Sequence, residues 1–416
     1  MFARSYLSNT IIILHIIWNN KMIKRELESK LLTIAKQFPV IAITGPRQSG
    51  KTTLAKSVFA DYRYISLENL DTRAYATNDP RNFLTSFDNA TGVIIDEIQE
   101  VPHLFSYLQE IVDTKKRPGF FVLTGSQNIL LQENISQSLA GRIAIFTLLP
   151  LSINELKLSD LLPKNVDEVM LKGFYPRIYS EQLDIQTWIN NYINTYLERD
   201  VRQLININNL LTFQRFIKVC AARIGNILNY ADLARDCDIS LNTAKSWLSI
   251  LEASYIIKLV QPYYKNFNKR ITQTPKIYFY DTGIACALLG IKRTDELNIH
   301  PMRGHLFENM IIADTYKYNF NNNIIPNIYF WRDVQGHEID CLIEKSFDKL
   351  VPIEIKSSMT ISDRFFKTII DWKKIIKETA IDSYLVYGGN ENWIRREGQI
   401  FSWESVYEML EKIYKC

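Results

Sequence analysis

The run Gly45-Pro46-Arg47-Gln48-Ser49-Gly50-Lys51-Thr52 fits the spacing G-x-x-x-x-G-K-S/T that suits a phosphate group. Its glycines let the backbone curl so that successive N–H groups point at anionic oxygens, and a following helix adds its positive N-terminal end. Lys51 is placed to reach the β- and γ-phosphates of a nucleoside triphosphate such as ATP. The Thr52 hydroxyl is placed to ligate Mg²⁺, with Thr53 opening the helix. A second pair, Asp96-Glu97, ends the apolar run Val93-Ile94-Ile95. Asp96 is suited to hold Mg²⁺, directly or through water, and Glu97 to polarise the attacking water, because phosphoryl transfer needs positioned charge more than covalent chemistry. After the run Phe121-Val122-Leu123-Thr124 come Ser126 and Asn128, either of which could bond the γ-phosphate or the lytic water. A plain turn after a strand explains them as well. Arg142 could sense phosphate or act in a neighbouring subunit of a homo-oligomer; a surface arginine is the competing reading.

These groups need a scaffold, and the flanking pattern supplies one. Val40–Thr44 reads as a strand before the loop and residues 53–59 as a helix after it. Strand-like runs recur at residues 64–67, 93–95, 120–124 and 143–148 with helical stretches between them, which predicts an α/β fold with a parallel sheet flanked by helices. Ligands bind such sheets beyond the C-terminal strand ends, where the loop and both carboxylates fall.

At 416 residues the chain exceeds one core, so roughly two to four domains are expected, and 47% hydrophobic residues can fill them. With 49 basic against 45 acidic residues, the net charge of +4 excludes a global electrostatic case for nucleic acid and leaves only a local one. Five scattered cysteines, without a C-x-x-C pair or histidines at ligand spacing, argue against a disulfide scaffold or zinc site and fit a reduced, cytoplasmic setting. The apolar run at residues 11–18 is too short for a bilayer and lacks a cleavage site, so no membrane association is expected. Met22 opens Met22-Ile23-Lys24-Arg25-Glu26-Leu27, a natural lead into the first helix, and residues 1–21 read as an over-extended start that adds nothing to the nucleotide site.

Residues 151–210 are patterned as helices, interrupted at Gly173-Phe174-Tyr175-Pro176. Residues 213–259 read as short helices, with a turn ending at Ser240, a candidate N-cap for a helix at 241–251 whose polar face carries Asn242, Thr243, Lys245 and Ser246. That is helix-turn-helix spacing, and residues 259–280 would form a β-hairpin wing. The wing segment holds four basic residues, Lys265, Lys269, Arg270 and Lys276, and no acidic one, with Tyr263, Tyr264 and Phe267 among them. Such a hairpin suits DNA phosphates, although winged helices also serve as protein-docking or internal modules.

The last quarter restarts as a mixed α/β unit. A helix at 304–318 carries Glu308, and the runs 338–344 and 351–356 alternate polar with apolar residues. If the two runs pair, Asp340, Glu354 and Lys356 gather on one surface, as Mg²⁺-dependent phosphodiester cleavage requires, with Glu308 assisting. A solvent-facing hairpin with cross-strand ion pairs produces the same letters.

Together these runs, with Leu139-Ala140-Gly141-Arg142, Tyr196-Leu197-Glu198-Arg199-Asp200-Val201, Tyr280-Asp281-Thr282-Gly283, Gly304-His305-Leu306-Phe307-Glu308-Asn309 and Trp331-Arg332, resemble the prokaryotic ATPases that join an AAA-type P-loop domain to a C-terminal domain of uncharacterised function. The resemblance covers nearly everything from Met22 onward. It implies an additional-strand P-loop NTPase sheet with Glu97 as catalytic base and Ser126 as phosphate sensor, then a winged-helix segment and a restriction-endonuclease-like α/β domain. Cys341 stands where the family usually has phenylalanine, which leaves the carboxylates in place. The expected domains are 22–150 (P-loop ATPase), 151–210 (helical lid or linker), 211–290 (winged helix) and 291–416 (nuclease-like). The expected function is a cytoplasmic ATPase acting on or near DNA; the alternatives are an ATP-regulated, Mg²⁺-dependent nuclease and a nucleotide-switched protein-binding module.

Overall fold

The computed structural model describes residues 22–126, 138–181, 183–197, 210–264, 274–346, 349–376 and 382–415. Residues 1–21, Asn128 and Lys265, Lys269 and Arg270 of the expected wing lie outside these segments.

The chain opens on α1 (Glu28–Ala35) and β1 (Val40–Thr44), all five of whose residues are buried. An apolar strand covered on both faces is what the centre of a parallel sheet demands. There follow α2 (Lys51–Val58), β2 (Arg63–Ser66), α3 (Leu70–Asn78), α4 (Pro80–Thr85), β3 (Val93–Asp96), α5 (Leu104–Lys115), β4 (Phe121–Gly125) and β5 (Ile143–Thr147). These five strands pair in parallel in the order β2-β3-β4-β1-β5, so β4 lies between the loop-bearing strand and the strand that ends in Asp96. Alternation divides their side chains between two layers. Val40, Ala42, Ile95 and Leu123 pack with Phe83 and Leu104 on one face, while Ile41, Ile43, Ile94 and Val122 pack with Leu31 and Leu54 on the other.

Four helices come next, α6 (Ile153–Leu158), α7 (Val166–Lys172), α8 (Pro176–Ser180) and α9 (Ile185–Tyr192). A complete capping box starts α6: the Ser152 hydroxyl accepts from the Glu155 N–H at 3.0 Å and the Glu155 carboxylate accepts from the Ser152 N–H at 2.9 Å. Helices α10 (Leu210–Ala221), α11 (Tyr230–Asp236) and α12 (Leu241–Ala253) then lead into an antiparallel ribbon of β6 (Ile257–Val260) and β7 (Lys276–Phe279). Ser240 caps α12 as its sequence predicts, accepting from the Thr243 N–H at 3.0 Å.

The remainder comprises α13 (Thr282–Leu288), α14 (Thr294–Ile299), α15 (Arg303–Asn321), β8 (Ile328–Arg332), β9 (Glu338–Ser346), β10 (Lys349–Lys356), α16 (Lys367–Ile376), β11 (Tyr384–Tyr387), β12 (Trp393–Ile394), β13 (Gln399–Ser402) and α17 (Val406–Lys415). Its sheet runs β12-β13-β11-β10-β9-β8, with β9 and β10 in the expected antiparallel pair. No described helix is long and apolar enough to cross a membrane.

One apolar core extends from Leu149 to Ile413 and takes in α6 to α13, the ribbon and the terminal sheet. At its centre α15 is buried almost all round from Leu306 to Asn319, so its polar side chains must find partners inside the protein. Asn309 does so by accepting from the Phe279 N–H at 2.6 Å and donating to the Phe279 carbonyl at 2.9 Å, which completes the edge of β7. Asp281 provides another joint, capping α13 through the Ile284 N–H at 2.9 Å and accepting from the Phe174 N–H at 2.6 Å. Replacing Asp281 by alanine removes the cap and orphans a buried N–H. The urea midpoint should fall by the equivalent of roughly 2–4 kcal/mol, and an unchanged midpoint would show that the joint contributes nothing.

Candidate nucleotide site and terminal acidic cluster

The loop after β1 depends on two glycines. At Gly45 (φ 143°) a Cβ would lie 2.1 Å from the Leu148 carbonyl oxygen, and Gly50 (φ 96°) opens α2 in a left-handed conformation. Lys51 begins α2, and its ammonium donates to the carbonyls of Gly45 at 3.0 Å and Pro46 at 2.8 Å. The Thr52 hydroxyl crosses to β3 and donates to Asp96 Oδ1 at 3.0 Å and Oδ2 at 3.2 Å. Two further hydroxyls hold the same carboxylate: Tyr64 at 2.9 Å from β2 and Thr124 from the inserted strand β4. Burial, together with Asp96, pushes the Tyr64 phenol up to about 12, so it stays a donor. Fixing a carboxylate through outer partners in this way is how a metal ligand is oriented.

Glu97 takes a left-handed backbone (φ 54°, ψ 47°), which costs a non-glycine residue on the order of 1 kcal/mol or more and re-aims its side chain off the strand. Its carboxylate then accepts from Ser126 Oγ at 3.3 Å and from the Gln99 amide. A cavity of about 1180 Å³ opens over these groups, lined by Arg47, Lys51, Thr52 and Glu97 on one side and by Pro176 and Arg177 of α8 on the other.

A buried arginine secures the loop from behind. Arg25 donates to the Ser49 carbonyl at 2.7 Å, to the Leu149 carbonyl at 2.7 Å and to Glu155 Oε1 at 2.9 Å. Arg25 and Tyr64 carry no motif, and Thr124 and Gln99 stand inside motif runs without a role of their own in the sequence. Arg142 is not brought to this site. Its carbonyl accepts from the Val40 N–H at the opposite end of β1, and its guanidinium binds Asp113 at 2.5 and 2.8 Å.

The terminal candidates Glu308, Asp340, Glu354 and Lys356 do come together. The register pairs Ile353 with Cys341, and its continuation sets Glu354 beside Asp340. Asp340 Oδ2 accepts from the Ile355 N–H at 2.8 Å and from Lys356 Nζ at 3.1 Å, while Lys356 also lies 2.6 Å from Glu354 Oε1. Lys276 corrects the sequence expectation. Expected on a DNA-facing wing, it is 1% exposed and points inward to Glu308 at 3.3 Å and Glu338 at 2.5 Å. The cause is the docking of β7 on α15, which turns the lysine toward carboxylates that outbid solvent for its charge. Burial works against the ammonium, but Glu308, Glu338 and Asp340 outweigh it and hold its affinity for the proton above normal.

Three family models match in turn: an AAA domain at residues 37–157, a domain of unknown function (DUF8612) at 163–295, and a second one (DUF4143) at 303–406. Uncharacterised proteins of Mycobacterium tuberculosis and Mycobacterium bovis are each 32% identical over 346 residues, covering 82% of this chain and 75% of theirs. The chain belongs to their family of AAA-domain proteins. An uncharacterised protein of Methanocaldococcus jannaschii is 22% identical over 393 residues, 87% of this chain and 83% of its own length. Among solved structures, similarity extends to the Walker-type ATPase of Pyrococcus abyssi (16% identity, 64% of this chain and 96% of that one, TM-score 0.44) and to the Thermotoga maritima RuvB Holliday junction branch migration motor (18%, 57% and 90%, TM-score 0.30). The AAA-domain match of this family member contains the loop, Asp96, Glu97 and Ser126.

The terminal cluster gives the stability a pH dependence. Burial, opposed by Lys276, raises the Glu308 carboxyl to about 7, and burial with the neighbouring Asp340 raises Glu354 to about 8, both from the usual 4.5. A raised carboxyl contributes stability that is complete below its unfolded value and is lost as pH climbs through its folded one. The melting temperature should therefore fall between about pH 5 and 8.5, and Glu354→Gln should flatten that fall. A profile with the same slope in both proteins would contradict the assignment.

Proposed function

We propose that the chain binds ATP with Mg²⁺ at the loop of residues 45–52 and hydrolyses it. The observation that carries this is the Thr52–Asp96 contact at 3.0 Å, held in a cage of hydroxyls and flanked by Glu97 and Lys51. A hydroxyl and a carboxylate form the hard oxygen set that suits Mg²⁺, and Thr52 and Asp96 would hold it. The bound ion would neutralise charge on the transferring phosphoryl group. Lys51, which donates to loop carbonyls, would bind the β- and γ-phosphates. Glu97 orients the attacking water, with Ser126 and Gln99 fixing the carboxylate. Arg142 takes no part in its own subunit's site.

The same contacts support coupling. Arg25 links the loop to α6, and the Tyr192 hydroxyl of α9 lies 3.4 Å from the Arg47 carbonyl, so a shift of the loop on nucleotide binding is felt by the helices that follow. Lys51→Ala should reduce turnover to background, and Glu97→Gln should keep ATP binding while slowing hydrolysis by about 100-fold or more. Turnover unchanged in Lys51→Ala would remove the site from consideration.

DNA is the partner this reading favours, in a winged-helix arrangement of α10 to α12 and the ribbon. The support is the face of α12, where Asn242, Lys245, Ser246 and Ser249 are exposed on a helix whose other side carries Trp247 and Leu251 into the core. Lys276 is withdrawn from that role, so phosphate contact falls to the helix face. Lys245→Ala should weaken DNA binding about equally for all sequences and lower the salt slope by about one charge. No change in affinity or slope would favour a protein partner.

A further inference from the structure

Four carboxylates from three elements converge in the terminal domain: Glu308 on α15, Glu338 and Asp340 on β9, and Glu354 on β10. Carboxylates gathered in this way could serve a divalent cation, which needs several oxygens free to turn toward one point. That condition is not met. Lys356 bridges Asp340 and Glu354, Lys276 bridges Glu308 and Glu338, and the Tyr278 hydroxyl donates to Glu308 Oε1 at 2.5 Å. Glu354 Oε2 is buried without a partner, and one such oxygen does not make a coordination shell. Among the described residues no group of three carboxylate, histidine or cysteine side chains is arranged to hold a metal ion.

We infer that Lys276 supplies from within the chain the positive charge this cluster requires, so that the cluster takes no divalent cation while the Lys276 ammonium lies in it. The source of the lysine is what gives the arrangement its meaning. Lys356 belongs to the terminal sheet itself, but Lys276 arrives on the ribbon that follows α12, and Asn309 pins that strand at Phe279. The turn after α10 closes over the same place. At Gly225 (φ 71°) a Cβ would come 2.8 Å from His305 Nδ1 and 3.4 Å from Glu308 Oε2, so only a glycine lets the backbone approach this closely. The ribbon and the terminal domain are thereby latched through an ion-pair network, and metal chemistry at Asp340 and Glu354 requires the Lys276 ammonium to leave it. This inference is independent of the nucleotide reading.

The test is Mn²⁺ uptake by the nucleotide-free, full-length protein, followed by the electron paramagnetic resonance of free Mn²⁺ and by thermal melting. Any Mn²⁺ at the nucleotide loop is common to every variant and cancels. Wild type and Asp340→Asn should take up equal amounts. Lys276→Ala should melt lower by roughly 5 °C or more, bind one further Mn²⁺ and recover part of its lost melting temperature, and Lys276→Ala with Asp340→Asn should lose that extra site. Uptake by wild type that depends on Asp340 would overturn the inference, and so would a folded Lys276→Ala without the extra site. Should Lys276→Ala fail to fold, Lys276→Met retains the volume and faces the same two outcomes, and the comparison of wild type with Asp340→Asn stands by itself.

Discussion

A buried guanidinium, that of Arg25, ties the loop after β1 to the chain that leaves β5. Its three bonds run to the loop at Ser49, to the chain leaving the sheet at Leu149, and to Glu155 in α6. Both members of the Arg25–Glu155 pair are almost wholly buried, so losing either would strand a charge at a cost of about 3–5 kcal/mol. Glu155 also completes the capping box of α6 and accepts from the Glu26 N–H at 2.9 Å. The path of the chain out of the sheet and the position of the loop are therefore parts of one network.

That network continues into the terminal half through α15. The Asp314 carboxylate accepts from the Ile153 N–H at 2.8 Å, Lys317 donates to the Leu151 carbonyl at 2.9 Å, and the Asn321 amide donates to Glu26 at 2.9 Å. Burial and the nearby Glu155 raise the Glu26 carboxyl to about 7. At its other end the same helix carries Glu308 and Asn309 against β7. One helix thus meets the segment that leaves the nucleotide sheet and the ribbon that follows α12. A helix buried this extensively, with charges at both ends, is expensive in any other packing, because Glu308, Asn309, Asp314, Lys317 and Asn321 find their partners in this one. The consequence is a chain in which α15 joins the segment leaving the AAA sheet to the ribbon by specific polar contacts.

The inserted strand has a comparable effect on the nucleotide site. With β4 between β1 and β3, Thr124 sits beside Asp96, and the polar end of β4 carries Ser126 to Glu97. Thr52 spans the gap from the loop side. Hydroxyls from α2, β2 and β4 therefore hold the Asp96 carboxylate, and the strained backbone at Glu97 sets the direction of the second one.

Much of this was legible in the residues alone. The loop, the strand ending in Asp96-Glu97, the Ser240 cap and the pairing of β9 with β10 all follow from local spacing: glycine at fixed offsets, a hydroxyl before a helix, and alternation of period two. What local spacing cannot carry is a partner far along the chain. Arg25 meets Glu155 across 130 residues, and Lys276 meets Glu308 and Glu338 across 32 and 62. In a segment without acidic residues a lysine reads as facing phosphate or water, and only the docking of β7 on α15 made it a buried counter-ion. Arg142 follows the same rule, since which end of β1 it joins depends on how the strands stack. Sequence determined which groups could do chemistry and which short elements would hold them. Tertiary structure decided which charges meet, because a buried ion is stable only where folding brings it a partner.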